Sequence, residues 1–148
     1  MPKLALDTIP QTNATGYPPE YAAVVAGRWY RRLAPAAGLE DFGVSHVVLK
    51  PGAWSAQRHW HTGEDELVVM IAGEAVLVDD GGETVMRAGD IAAFPKNDGN
   101  GHVLQNRGEA DCVFVAIGRS AESACYYPDI DMHLAPGAGY RRKDGSAF

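Results

Sequence analysis

Three histidines and one glutamate have the types and spacing that metal chemistry needs. His59 and His61 are two positions apart, and on a β-strand residues i and i+2 point to the same face. Their imidazoles would form a clamp of two nitrogens. Glu66 comes after a four-residue turn, at the start of the next apolar run, where a hairpin would bring it back beside the clamp. His102 opens another short apolar run, so these four residues are the predicted metal ligands.

Such a donor set predicts one divalent transition metal, Fe, Mn, Ni or Zn, because Mg²⁺ and Ca²⁺ prefer more oxygen ligands. Four protein ligands leave up to two positions open on an octahedral ion. With a single carboxylate among the ligands, the site keeps a positive charge. It is therefore expected to attract a small polar or anionic molecule, or to polarise a carbonyl group.

Neighbouring residues offer alternatives to this assignment. Glu64 could replace Glu66 as the ligand, although the hairpin spacing favours Glu66. Gln57 shares the strand parity of the two histidines, so it is the candidate catalytic residue of the cavity, or equally a rim residue. His46 lies within an apolar run and is expected to be structural. Trp60 should point away from the cavity and pack on a terminal arm or on a second subunit.

The middle of the chain is rich in short apolar runs that are separated by turn residues. Turn signals recur every 8–12 residues, which is typical of an all-β sandwich or barrel. Asp79-Asp80-Gly81-Gly82 is a clear hairpin turn. The predicted strands cover residues 42–50, 54–61, 66–71, 74–78, 83–86, 91–94, 102–106 and 112–117.

Both ends of the chain lack this alternation. Residues 1–41 begin with a proline-rich stretch and are predicted to form an N-terminal arm. Residues 42–118 form the predicted barrel. Residues 119–148 are predicted to form a C-terminal arm that packs partly on the barrel and is frayed at its end.

The two histidine segments resemble the two conserved motifs of the cupin superfamily. The first motif is Gly52, His59, His61, Glu66 and Gly73, and the second is Gly89, Pro95, Gly99, His102 and Asn106. Two spacings are longer than usual, between Gly52 and His59 and between Pro95 and Gly99. Both extensions lie in loops, where insertions are tolerated. The flanking segments resemble a group of small single-domain bacterial cupins, some of which are labelled sugar-phosphate isomerases.

This resemblance implies a double-stranded β-helix, the cupin jelly-roll barrel, with His59, His61, Glu66 and His102 as metal ligands. It implies a homodimer, in which the N-terminal arm adds a strand to a neighbour's sheet. It also implies a metal-dependent enzyme of the dioxygenase, isomerase or decarboxylase type. The alternatives are a non-catalytic cupin that binds or senses a small molecule, and a scaffold without a ligand.

Composition excludes several other classes of function. The formal net charge of −6 argues against nucleic acid and anionic lipid as partners. No apolar run approaches the roughly 18 residues of a membrane span, and the N-terminus does not resemble a signal peptide. We therefore expect a cytoplasmic protein whose cysteines, Cys112 and Cys125, are reduced.

Overall fold

The computed structural model describes residues 2–119 and 123–148. Within these residues the chain is built mainly of antiparallel strands. The strands are β1 (Arg28–Arg32), β2 (Gly43–Leu49), β3 (Trp60–His61), β4 (Glu66–Ala72), β5 (Glu74–Asp79), β6 (Gly82–Arg87), β7 (Ile91–Phe94), β8 (Val103–Gln105), β9 (Cys112–Gly118), β10 (Cys125–Tyr126), β11 (His133–Ala135) and β12 (Gly139–Arg141). The helices are α1 (Pro19–Ala22) and α2 (Leu33–Ala37), with 3₁₀ turns at Leu6–Thr8 and Ala23–Val25.

The strands form three sheets that together make a jelly roll. A five-stranded sheet has the order β1-β2-β9-β4-β7, a three-stranded sheet has β6-β5-β8, and a four-stranded sheet has β12-β11-β10-β3. Single bridges pair Trp54 with Gln105 and His59 with His102, so the segment before β3 runs beside β8. The predicted all-β jelly-roll fold is confirmed.

Alternation along the strands places one face of each sheet in a common core. Val47 and Leu49 of β2, Val68 and Met70 of β4, and Phe114 of β9 are all at most 7% exposed. Because side chains on a strand alternate between faces, the residues between them point outward. The core therefore lies between the sheets and forms the floor of the cavity described below.

The predicted strand at 54–61 is much shorter in the structure. Only Trp60 and His61 form a regular strand there, and Trp54 and His59 make isolated bridges. The segment between them is a run of bends, which interrupts the ladder of hydrogen bonds. The other seven predicted strands agree with the structure to within one or two residues at each end.

Both predicted arms contribute strands to the sheets. In the N-terminal segment, β1 pairs with β2 of the same chain over five residues. In the C-terminal segment, β10 pairs with β3. Trp60 stacks on Tyr126 of β10, with ring centroids 4.9 Å apart. The outward-facing tryptophan is thus covered by the C-terminal segment, one of the two covers that we expected.

The two terminal segments also meet each other. Cys125, Tyr127 and Met132 form a second buried cluster, against which Tyr17 and Tyr140 pack. Tyr17 meets both of the other tyrosines edge-to-face, with ring centroids 5.4 Å apart for Tyr140 and 5.9 Å for Tyr127. This cluster brings residues distant in sequence to one wall of the cavity.

Candidate functional site

Three of the four predicted ligands, the histidines, converge on a carboxylate oxygen of the fourth. Glu66 Oε2 lies 2.8 Å from His102 Nε2, 3.2 Å from His61 Nε2 and 3.7 Å from His59 Nε2. The three histidine side chains are at most 16% exposed. Four donors from two separate segments of the sequence therefore share one small volume.

Pairing between strands explains this convergence. His59 and His102 exchange both backbone hydrogen bonds, at 3.2 and 2.9 Å, so their side chains stand next to each other. His61 follows two residues later, on the same face as His59. Glu66 is the first residue of β4, where it pairs with Phe94 of β7.

Each imidazole is held in place by its surroundings. His102 stacks on Phe94, with ring centroids 3.7 Å apart and planes 6° from parallel. His59 Nδ1 lies 2.8 Å from the carbonyl oxygen of Gln57. Since a carbonyl only accepts, Nδ1 must carry the proton, and in the neutral ring Nε2 then keeps its lone pair.

The electrostatics of this cluster favour a cation. Burial lowers the pKa of His59, so its ring is neutral at pH 7 and its Nε2 lone pair faces an ionised Glu66. Burial alone would raise the pKa of Glu66, but hydrogen bonds from His102 and His61 hold it well below its usual range. Burial also opposes the charged form of His61, yet hydrogen bonds to Cys125 and Glu66 raise its pKa to about 10. A bound cation would take the place of that proton.

The donor atoms are close enough to share one ion. Those of His59, Glu66 and His102 lie within 4.8 Å of one another. Two ligands on opposite sides of an ion with bonds of about 2.2 Å are about 4.4 Å apart. The nitrogen and oxygen donors, their spacing and the free lone pair on His59 therefore fit a divalent transition metal.

A cavity of about 790 Å³ opens over this cluster. Among the residues that the structure describes, its charged lining consists of three arginines and three glutamates: Arg28, Arg32, Arg119, Glu40, Glu64 and Glu66. Its phenol groups are those of Tyr17, Tyr30, Tyr127 and Tyr140. Because the arginines balance the glutamates, a divalent ion would leave the cavity positively charged.

Buried phenols in this lining are hydrogen-bond donors at neutral pH. Burial raises the pKa of Tyr17 to about 12 and raises the pKa of Tyr127 and Tyr140 above the usual value. Arg28 points towards the same space. Its Nη1 donates to the carbonyl of Ser55 at 2.9 Å, whereas its buried Nε has no partner among the described residues.

Gln57 does not line this cavity, so its assignment as the cavity residue must be corrected. Its amide nitrogen donates to the carbonyl oxygen of Tyr21 at 2.9 Å, and its backbone N–H donates to the Tyr17 hydroxyl at 3.2 Å. The bends between Trp54 and His59 break the strand parity from which the inward orientation was predicted. Gln57 instead ties the barrel to the N-terminal segment.

Glu64, which the sequence offered only as an alternative ligand, lies beside the histidine cluster. It lines the cavity, and its Oε2 lies 3.7 Å from His61 Nδ1, on the ring edge opposite Glu66. Burial raises the pKa of Glu64. A Cβ at Gly118 would lie only 2.6 Å from Glu64 Oε1, so this glycine leaves the space that the carboxylate fills. Glu64 is thus placed beside the histidine cluster as well as in the cavity.

His46 is not brought to the cluster. It lies on β2 opposite Arg31 and Val115, on the outer face of the five-stranded sheet. Burial, followed by the charge of Arg31, lowers its pKa.

Comparison with known proteins identifies the family. The model of the family described as "Cupin domain" matches residues 45–118. The chain belongs to the cupin family. A cupin-superfamily protein from Silicibacter pomeroyi, described as a sugar phosphate isomerase, is 43% identical; the match covers 99% of this chain and 96% of that chain, with a TM-score of 0.93.

Two further proteins resemble part of this chain. The oxalate-binding protein of Thermotoga maritima is 35% identical over 73 residues, which are 49% of this chain and 58% of that protein. The match therefore spans a little over half the length of this curated relative. A cupin barrel protein from Salinispora arenicola is 28% identical, covers 64% of this chain and 76% of its own, and has a TM-score of 0.54.

The residues that sequence reasoning did not assign come from the terminal segments. Arg28, Tyr17 and Tyr140 lie outside both histidine motifs, and no local spacing connects them to the cluster. Tyr127 lies outside these motifs as well. Glu64 carried a usable signal, because it lies in the turn between His61 and Glu66.

Proposed function

We propose that this cupin is a metal-dependent enzyme that acts on a small anionic molecule. In this proposal His59, His61, Glu66 and His102 bind one divalent transition metal. The proposal depends above all on one observation: three imidazole Nε2 atoms lie within 3.7 Å of a single Glu66 oxygen, at a cavity large enough for a small molecule.

The charge of the cavity supports an anionic substrate. Three arginines line it: Arg28 and Arg32 from β1, and Arg119, which follows β9. Arginine binds phosphate and carboxylate through paired N–H groups. One relative is described as a sugar phosphate isomerase and another as an oxalate-binding protein, and both of those names refer to anions. Sugar phosphates and small dicarboxylates are therefore the first substrates to test.

The chain supplies distinct groups for the reaction. A divalent ion, when bound, would act as a Lewis acid towards a carbonyl or an anionic oxygen. Glu64 is placed to take a proton from the substrate and return it. The protonated phenols of Tyr17 and Tyr127 are placed to donate hydrogen bonds to substrate oxygens. The terminal segments contribute Tyr17, Arg28, Tyr127 and Tyr140 to the lining of the cavity.

Replacing Glu64 by glutamine is expected to reduce turnover by about 10²–10⁴-fold, which is the usual contribution of a general acid–base group. Metal content should be unchanged, because Glu66 remains. The measurement is product formation by NMR, with metal-loaded protein and a panel of sugar phosphates and dicarboxylates. Glu40→Gln is the matched control, since Glu40 also lines the cavity but is exposed, and we expect it to keep full activity.

A non-catalytic binding function is the second candidate. It is favoured by the position of Glu64 beside His61 Nδ1, where the carboxylate could serve only to orient the ring. Ligands from the panel would then bind without product formation. Tight binding by calorimetry together with no turnover on any member of the panel would replace the enzymatic proposal with this one.

We also propose that the protein forms a homodimer through the outer face of the five-stranded sheet. His46, Val115, Val69 and Ile91 are partners across four adjacent strands and share this face. Ile91 is 63% exposed. Five strands of up to seven residues cover about 24 by 23 Å. Two such faces come close to the roughly 1,200 Å² at which stable interfaces begin, and a second copy offers the same apolar surface.

Ile91→Glu is expected to convert the dimer to a monomer, because a charge on the edge strand β7 would be buried within the contact. The molar mass from light scattering at micromolar concentration measures this. Val85→Glu is the control: Val85 is 41% exposed but lies on β6, in a different sheet, so this variant should stay dimeric. A monomeric native protein would contradict the proposal.

A further inference from the structure

A cysteine thiol lies against the histidine cluster. Cys125 is 1% exposed and lines the same cavity. Its Sγ, one ring nitrogen of His59 and one ring nitrogen of His61 lie within 4.8 Å of one another. The donor atoms of His59, Glu66 and His102 satisfy the same limit. The cluster thus consists of two groups of three donors that share His59.

Strand pairing fixes the position of this thiol. Cys125 on β10 is the direct partner of His61 on β3, in an antiparallel pair. Side chains of direct partners point to the same face, with Cβ atoms about 4.5–5.5 Å apart. The next pair, Trp60 and Tyr126, stacks on the opposite face. The outward stack therefore keeps Cys125 turned towards the histidines.

We infer that Cys125 is a further ligand of the proposed metal site and gives it a sulfur donor. The inference rests on the proposed function, since it requires an ion at the histidine cluster. On binding, the thiol forms a sulfur–metal bond and its proton leaves to solvent, so the charge of the site falls by one. His59 is the histidine that joins the two groups of donors.

A thiolate changes which ions the site prefers. Sulfur ligands favour zinc and cobalt, whereas carboxylate and water favour manganese. With Cys125 bound, zinc should bind more tightly than the nitrogen and oxygen ligands alone would allow. Cys125→Ser should weaken zinc binding by about tenfold or more, by analogy with the losses that follow changes around metal ligands, and should change manganese binding much less.

Cobalt provides a direct test, because its absorption distinguishes the two sets of ligands. Cobalt-loaded native protein is expected to show visible d–d bands and a near-ultraviolet thiolate-to-cobalt band. Cys125→Ser should lose only the near-ultraviolet band. Cys112→Ser is the matched control, since Cys112 is also a buried free cysteine but lies in the main core, and it should keep both features.

X-ray absorption of the zinc-loaded native protein tests the same inference without a substitution. A sulfur shell at about 2.3 Å, beyond the nitrogen shell at about 2.0–2.1 Å, is expected. Visible bands without a thiolate band, together with a spectrum that has no sulfur shell, would overturn the role of Cys125 and leave the histidine–glutamate site intact. A protein that binds no cobalt or zinc at all would overturn the proposed function and this inference with it.

Discussion

His59→Ala is expected to lower metal affinity by more than about 100-fold. Removing a residue that only supports a metal ligand typically costs about 10–100-fold in affinity, and His59 is itself a proposed ligand. His59 belongs to both groups of donors in the cluster. Its Nδ1 is engaged with the Gln57 carbonyl, so its Nε2 is held ready to bind an ion. Alanine removes that nitrogen and leaves the backbone bridge to His102 in place.

The matched control for this variant is His46→Ala. His46 lies on the outer face of the five-stranded sheet, away from the cluster, so its removal should leave the metal content unchanged. Metal content is measured by mass spectrometry on protein purified without a metal-affinity tag. Loss of metal from His46→Ala together with retention in His59→Ala would show that the histidine cluster is not the metal site.

Removal of the metal should lower the melting temperature by about 5–10 °C at neutral pH. An ion that binds only the folded chain, at 100 times its dissociation constant, stabilises it by about 2.7 kcal/mol. For a domain of this length each kcal/mol is worth about 2–4 °C. Melting curves with and without a chelator measure the difference.

Acid should reduce this difference. Imidazoles bind metal only when their ligating nitrogen is free of a proton, and free histidine titrates near ~6.5. Proton competition at these nitrogens therefore weakens metal binding, and the metal-dependent stability decreases, as the pH falls through that range. At about pH 5 the curves with and without chelator should move together. Equal melting temperatures at neutral pH, in a protein shown to lose its metal to the chelator, would contradict the linkage.

Local sequence determined most of the barrel. Hydrophobic alternation and turn residues depend only on neighbouring positions, so strands such as β4, β5 and β7 could be predicted to within about one residue. The prediction was less accurate for the segment from Trp54 to His61, where local sequence is not enough. Its bends change the direction of side chains without leaving a clear mark in the sequence, and strand parity therefore could not decide between the cavity and the rim for Gln57.

The sequence alone also identified the four residues of the cluster, because strand parity and a hairpin are short-range geometry and the motif spacing resembles that of a family. Only the tertiary structure decided what surrounds them. Arg28 comes from β1, and Cys125 and Tyr127 come from the C-terminal segment; each is brought to the cavity by strand pairing or by packing across the fold. Such contacts depend on which strands pair over long distances, and no periodicity within one segment encodes that choice.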